Sequence, residues 1–256
     1  MTDLFPDATD TEIKASLFNA KRCFNKYRKL DGTVRANFLR EIKKELRNAQ
    51  NKIISIAQSE TKLGKLRLEM ELSRTIGEIE LFANMAEKGE WLKTAVREQN
   101  KKTSQSTLHT ENIPIGPVLV IGACNFPIAI SVVGTDTISA LAVGCPVIVK
   151  AHPGHPKTCQ FLAAIVLIAG KKSQIPKDTF QLIHGEKYEV TQKLVVHPDI
   201  SCVAFTGSLA GGKALSEIVF NRKIPIPFHA EMGSINPIVA LPGKISENHN
   251  KLAVDY

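Results

Sequence analysis

Residues Ile113–Pro153 read IPIGPVLVIGACNFPIAISVVGTDTISALAVGCPVIVKAHP. Val118–Gly122 and Pro146–Lys150 are short, rich in β-branched residues and bounded by Gly or Pro, which predicts two strands. Ile130–Val143, between them, is too long for a strand and is expected as a helix. The order is therefore strand, helix, strand. Two strands buried on both faces with a covering helix imply a parallel sheet. Ligands of such sheets sit outside the carboxyl ends of the strands, where Asn125 and Lys150 both fall.

The rest of the chain supports a mixed α/β protein. Its 256 residues, 43% of them hydrophobic, can bury a sizeable core. No apolar run reaches the length of a membrane span, and the N-terminus MTDLFPDATDTEIK is acidic, without the basic-then-apolar order of a secretory signal. A cytoplasmic location without membrane contact is expected. Five cysteines (Cys23, Cys124, Cys145, Cys159 and Cys202) form no CxxC pair and have no His at zinc-finger spacing, so they are read as reduced thiols with no metal. The net charge of +8 raises nucleic-acid binding as a class. The bases are interleaved with acids, however, as in Arg40–Glu45 (REIKKE), which describes a solvated surface.

Thr9–Lys29 sets Ile13, Leu17, Ala20, Phe24 and Tyr27 on one helical stripe, with Asp10 near its start. Asp31-Gly32 interrupts it, Thr33–Ala57 resumes the period, and a third helix follows Gly64 through Leu68, Leu72, Ile76, Ile79 and Phe82. Trp91–Asn112 is polar and open between a linker and an exposed hairpin. Beyond the βαβ unit come a helix at Cys159–Gly170, a strand at Phe180–Ile183, a helix near Val190–Val196 and a strand at Cys202–Thr206. A further helix starts at Gly207-Ser208, followed by extended pieces at Ile224–Met232 and Asn236–Leu241. Alternation of this kind describes a doubly wound parallel sheet. Ser246–Tyr256 begins like a helix, and the chain is expected to end within an element.

Five features carry candidate chemistry, each with a structural alternative. Thr206-Gly207-Ser208, with Gly212 in the helix behind, puts amides and a hydroxyl at a strand-to-helix junction. This is either a pyrophosphate seat or a plain N-cap. Lys150 ends a buried strand, facing either a ribose or phosphate or open solvent. His152 and His155 lie among prolines without carboxylate or Cys partners and are read as loop residues rather than metal ligands. Asn125 is either an oxyanion donor or a turn former. Glu231 is either a general base or a loop acid.

Together and in order, GPVLVIGACNFP, PVIVKAHPGHPKT, VAFTGSLAGG and AEMGSINPIV resemble the aldehyde dehydrogenase superfamily. NKYRKLDGTVRANFLREI, ETKLGKLRLEMELSRTIGEIELFA and the KAHPGHP and EMGSINP variants look most like its 2,5-dioxovalerate (alpha-ketoglutarate semialdehyde) dehydrogenase branch. The resemblance implies a Rossmann-like cofactor domain with N-terminal helices and oxidation of an aldehyde to the acid with NAD(P). It implies N-terminal helices over 1–97, part of an oligomerisation hairpin over 98–112, an NAD(P)-binding domain over 113–231 and the start of a truncated catalytic domain over 232–256. By position, Asn125 would donate to the oxyanion and Glu231 would activate water. Lys150, His152, Thr206, Gly207, Ser208, Gly212 and Met232 would surround the cofactor. The complete enzyme would be a homo-oligomer acting on a small aldehyde, with no nucleic acid.

Three departures from the family pattern matter. The nucleophilic Cys belongs in a Gly-Gln-x-Cys segment downstream of the Glu, and none occurs in these 256 residues. The chain by itself is therefore expected to be inactive, either as a dinucleotide-binding fragment or as half of a split enzyme. Pro153 stands where NAD-preferring relatives place a ribose-binding Glu, so NADP is favoured, with NAD possible. Thr191 replaces a frequent Gly beside the cofactor and puts affinity in question.

Overall fold

The computed structural model describes residues 5–97, 107–233, 239–243 and 245–246. Four helices come first. α1 (Asp10–Tyr27) opens on a capping box in which Thr9, rather than Asp10, is the cap: its hydroxyl accepts from the Glu12 amide and the Glu12 carboxylate accepts from the Thr9 amide. α2 (Gly32–Asn48) is capped by Asp31, whose carboxylate accepts from the Thr33 amide. The single helix expected over Thr33–Ala57 is instead two, because Ala49 (φ −99°, ψ 6°) leaves the helical region and α3 (Gln50–Thr61) sets off in a new direction. That bend brings Ile53, Ile54 and Ala57 into the same core as Phe38 and Ile42. α4 (Lys65–Lys88) packs along α2 and stops at Gly89 in the left-handed region.

β1 (Ala95–Arg97) and β2 (Leu108–Thr110) then pair antiparallel, so both ends of the Trp91–Asn112 stretch are strands. Their connection lies outside the described residues.

The main sheet contains β3 (Val118–Ile121), β4 (Val147–Lys150), β5 (Phe180–Ile183), β6 (Cys202–Thr206) and β7 (Phe228–Glu231). All five are parallel, in the order β5-β4-β3-β6-β7. The chain moves outward from β3 through β4 to β5, then returns to the other side of β3. β3 and β6 thus flank the topological switch point. Period-two alternation divides the strands between two cores. Val118, Val120, Val147, Val149, Cys202 and Ala204 face one with α2, α3, α4, α5 (Thr135–Ala142) and α6 (Pro156–Lys172). Leu119, Ile121, Ile148, Val203 and Phe205 face the other with α1, α7 (Tyr188–Val196) and α8 (Leu209–Phe220). Burying each large apolar side chain in these cores contributes about 1.5–3 kcal/mol.

Several sequence-based boundaries move. The helix expected over Ile130–Val143 begins only at Thr135. Its upstream part is a series of turns that ends at Gly134, whose extended backbone (φ −73°, ψ 175°) forms the N-cap of α5, while the Glu71 carboxylate holds the preceding turn by the amides of Ile128 and Ala129. α6 starts at Pro156, three residues before the expected Cys159. Pro at the first helical position loses no bond, and Glu60 at the end of α3 accepts from the amides of Lys157 (2.9 Å) and Thr158 (2.8 Å). Of Ile224–Met232, only Phe228–Glu231 is strand. Of the piece expected over Asn236–Leu241, residues 239–241 form no strand and 236–238 lie outside the described residues, as does all of Ser246–Tyr256 beyond Ser246.

Glu60 therefore joins two helices that share no sequence neighbourhood. Glu60→Ala is expected to cost about 1–2 kcal/mol, measured as a lower midpoint in urea with an unchanged m-value.

Candidate functional site

Strand register sets the site. Across the carboxyl ends, Ile183 aligns with Lys150, Lys150 with Ile121, Ile121 with Phe205, and Thr206 with Glu231. Side chains distant in sequence thus surround one cleft of about 750 Å³ at the switch point. Asn125, Lys150, His152, Thr206, Gly207, Ser208 and Glu231 all line it.

Asn125 lies in the turn after β3. The turn can form because residue 122 is Gly: a Cβ there would sit 2.1 Å from the Ile130 carbonyl oxygen. α4 then grips the turn from outside. The Arg67 guanidinium donates to the Asn125 carbonyl and lies over the Phe126 ring, 4.7 Å from its centroid. One oxygen of Glu71 accepts from the amides of Ile128 (2.7 Å) and Ala129 (2.9 Å), while Glu78 accepts from the Thr135 hydroxyl (2.7 Å). Burial pushes the Glu71 carboxyl above its ordinary pKa, against the two amides that oppose the shift. Its second oxygen is buried without a partner among the described residues.

Lys150 ends β4 only 7% exposed. Among the described residues no carboxylate lies within ion-pair distance of it, and burial pushes its pKa down. His152 is pushed down to about 4, first by burial, then by His155 and Lys150. Its ring stacks on His155 with centroids 5.3 Å apart, and its Nδ1 accepts from the Gly154 amide at 2.9 Å. His155 is fully buried, with Nδ1 3.3 Å from the Cys159 thiol. Among the described residues no cluster of three His, Cys, Asp or Glu side chains could hold a metal.

On the other side of the switch, Gly207 allows a tight turn: a Cβ would meet the Phe205 ring at 2.5 Å. Its amide donates to the Glu231 carbonyl at 3.0 Å, tying the ends of β6 and β7 together. Ser208 caps α8, accepting from the Gly211 amide at 3.1 Å, so the N-cap role is filled while the first turn of the helix faces the cleft. Gly212 and Met232 do not line the cleft. They pack on each other, and a Cβ at Gly212 would sit 2.3 Å from the Met232 sulfur.

Sequence reasoning missed Glu186 and Tyr188, which reach the cleft at the start of α7 beside Thr191, and it missed Arg67 and Glu71 behind the Asn125 turn. For Glu71 a signal existed. A carboxylate one residue before Leu72 and three after Leu68 falls on the buried face of α4 and needs donors there. The Cys23, Cys145, Cys159 and Cys202 thiols are buried and Cys124 is exposed at the cleft. Burial pushes Cys159 and Cys202 up to about 11.

The sequence pattern of the Aldehyde dehydrogenase family matches residues 2–247. An alpha-ketoglutaric semialdehyde dehydrogenase of Acinetobacter baylyi is 40% identical across 98% of this chain and 48% of its own. Alpha-ketoglutaric semialdehyde dehydrogenase 2 of Azospirillum brasilense is 37% identical across 99% and 49%. The chain thus spans about half the length of the curated relatives it matches. Among solved structures, the glyceraldehyde-3-phosphate dehydrogenase GapN of Methanocaldococcus jannaschii complexed with NADP superposes with a TM-score of 0.79 at 22% identity, covering 91% of this chain and 48% of its own. At that identity the likeness establishes the fold.

Two outcomes follow from the buried groups. Glu71→Gln keeps an oxygen for both amides and is expected to fold normally, while Glu71→Ala leaves two buried donors unpaired and costs about 2–4 kcal/mol in chemical denaturation. The folded-state pKa of His152 lies below its unfolded value of 6.5, so the unfolded chain binds the extra proton and stability falls as pH drops from 6.5 towards 4. His152→Asn should remove up to about 3 kcal/mol of that acid-dependent loss, seen as a flatter plot of thermal midpoint against pH.

Proposed function

This chain belongs to the aldehyde dehydrogenase family, and on that premise we propose that it forms the dinucleotide-holding part of an NADP-preferring oxidoreductase. Its substrate on this reading is 2,5-dioxovalerate (alpha-ketoglutarate semialdehyde), oxidised to the acid. The substrate assignment is supported by the two semialdehyde dehydrogenases that share 40% and 37% identity with the chain.

The observation that carries the reading is the gathering of Asn125, Lys150, Ser208 and Glu231 around one cleft at the switch point. The cleft fits a dinucleotide. It holds a buried lysine without an anionic partner among the described residues, and the first turn of a 12-residue helix opens onto it. NADP, when bound, supplies the hydride acceptor. Lys150 binds the ribose or its phosphate. Asn125 donates its amide to the aldehyde oxygen as charge develops there, on a turn that α4 holds rigid. Glu231 takes a proton from the attacking water. NADP is favoured over NAD because residue 153 is Pro, so no carboxylate opposes a 2′-phosphate at that position, while Lys150 and His152 line the same side. The GapN relative was solved with NADP.

Without a Gly-Gln-x-Cys segment, the 256 residues alone hold the cofactor but do not oxidise aldehyde. In the complete assembly, β1 and β2 join subunits, consistent with Val96 and Leu108 being more than half exposed. The free thiols and the lack of any membrane-crossing helix among the described residues suit a cytoplasmic protein.

Calorimetric titration tests this. NADP should bind saturably and more tightly than NAD, and Lys150→Met should weaken it about tenfold, or 1.4 kcal/mol. No binding at about millimolar NADP would overturn the proposal. Addition of the semialdehyde should produce no NADPH absorbance, and turnover comparable to a complete relative would overturn the assignment of a missing nucleophile.

A further inference from the structure

We propose that Lys150 is a covalent capture site for aldehydes, its ε-amine condensing with an aldehyde that enters the cleft while no dinucleotide fills it. The inference rests on the cleft being the dinucleotide seat in one respect only, the protection that NADP would give.

Lys150 is 93% buried by its 7% exposure, yet it lines a cleft of about 750 Å³ open to small molecules. Its neighbours across the sheet, Ile121 and Ile183, are apolar. Among the described residues its amine has desolvation and through-space charge acting on it and no hydrogen-bond partner. An ordinary surface lysine is protonated and hydrated, hence a poor nucleophile at neutral pH. A lysine kept in a poorly hydrated pocket without a counter-charge spends more time as the free amine.

The surrounding titratable groups do not restore the charge. His152 beyond β4 and His184 at the end of β5 are both held uncharged by burial at neutral pH. Asp7 of the N-terminal segment and Glu186, which also lines the cleft, favour its charge without a hydrogen bond or ion pair to it, and Cys159 on α6 is a neutral thiol with its pKa pushed up to about 11. Desolvation outweighs all of them.

The chemistry is closed. The nitrogen lone pair attacks the aldehyde carbon, the carbonyl oxygen takes up a proton, and the carbinolamine loses that oxygen as water together with the remaining exchangeable proton. A C=N bond replaces C=O, with no net oxidation or reduction. The adduct would fill the space NADP needs. An excess of aldehyde would then compete with cofactor, and loading the cofactor first would keep the lysine free.

Pyridoxal 5′-phosphate and, separately, propanal would be incubated with the full chain at about pH 7, reduced with borohydride and mapped by peptide mass spectrometry. The expected result is labelling of Lys150 about tenfold faster than the mean of the other lysines with either probe, suppressed by NADP and absent from Lys150→Met. Labelling spread evenly over surface lysines overturns the proposal, even where calorimetry shows NADP binding. Selective labelling that NADP does not suppress supports capture at Lys150 and counts against the cofactor reading instead. Because the wild-type map is decisive alone, a variant that fails to fold does not obscure the answer.

Discussion

Parallel pairing of Val118–Ile121 with a strand on either side constrains everything else in this protein. A central parallel strand has both faces covered, so its four residues must all be apolar, and all four are buried. Because β4 and β6 are locked to it in register, Lys150 and Phe205 end level with Ile121. The turns that follow have to emerge at the same edge. The crevice is thus a by-product of reversing strand order around β3, and its polar lining consists of whatever residues follow the last apolar pair of each strand.

Much of this was legible because strands buried on both faces announce themselves. Phe180–Ile183 and Cys202–Thr206 were bounded correctly by short β-branched or aromatic runs between polar turns. Boundaries moved at two helix starts, α5 and α6. Ile130–Val133 is mostly β-branched and Gly134 follows it, so the local sequence favours a late helix start. Gly134 takes an extended conformation as the N-cap of α5, and Glu71, 57 residues upstream of Ile128, holds the preceding turn by its amides. The early start of α6 has a distant cause, since Glu60 accepts from its first amides. Long-range capping of this kind leaves no trace in a local window.

The site was readable only in aggregate. Asn125, Lys150, Ser208 and Glu231 each had an equally good structural explanation, and Ser208 does cap its helix. What brings them together is order along the chain: each sits at the carboxyl end of a strand or in the turn after it, so one sheet edge collects all four. Gly212 and Met232 show the limit of reading roles from position, since the two complete a packing contact behind the turn. Glu186 and Tyr188 enter the cleft around the start of α7, where the composition carries no signal.

Three carboxylates, Glu60, Glu71 and Glu78, reach from the leading helices onto the backbone or hydroxyls of the nucleotide-fold half. Evolution therefore inherits these two regions as a single module. Recombination between diverged genes with a crossover near residue 112 would pair one parent's acids with another parent's loops. An exchange that carries α3 and α4 along with the sheet keeps the contacts, so such a chimera should be more stable than one that splits the two regions between parents lacking the matching acids.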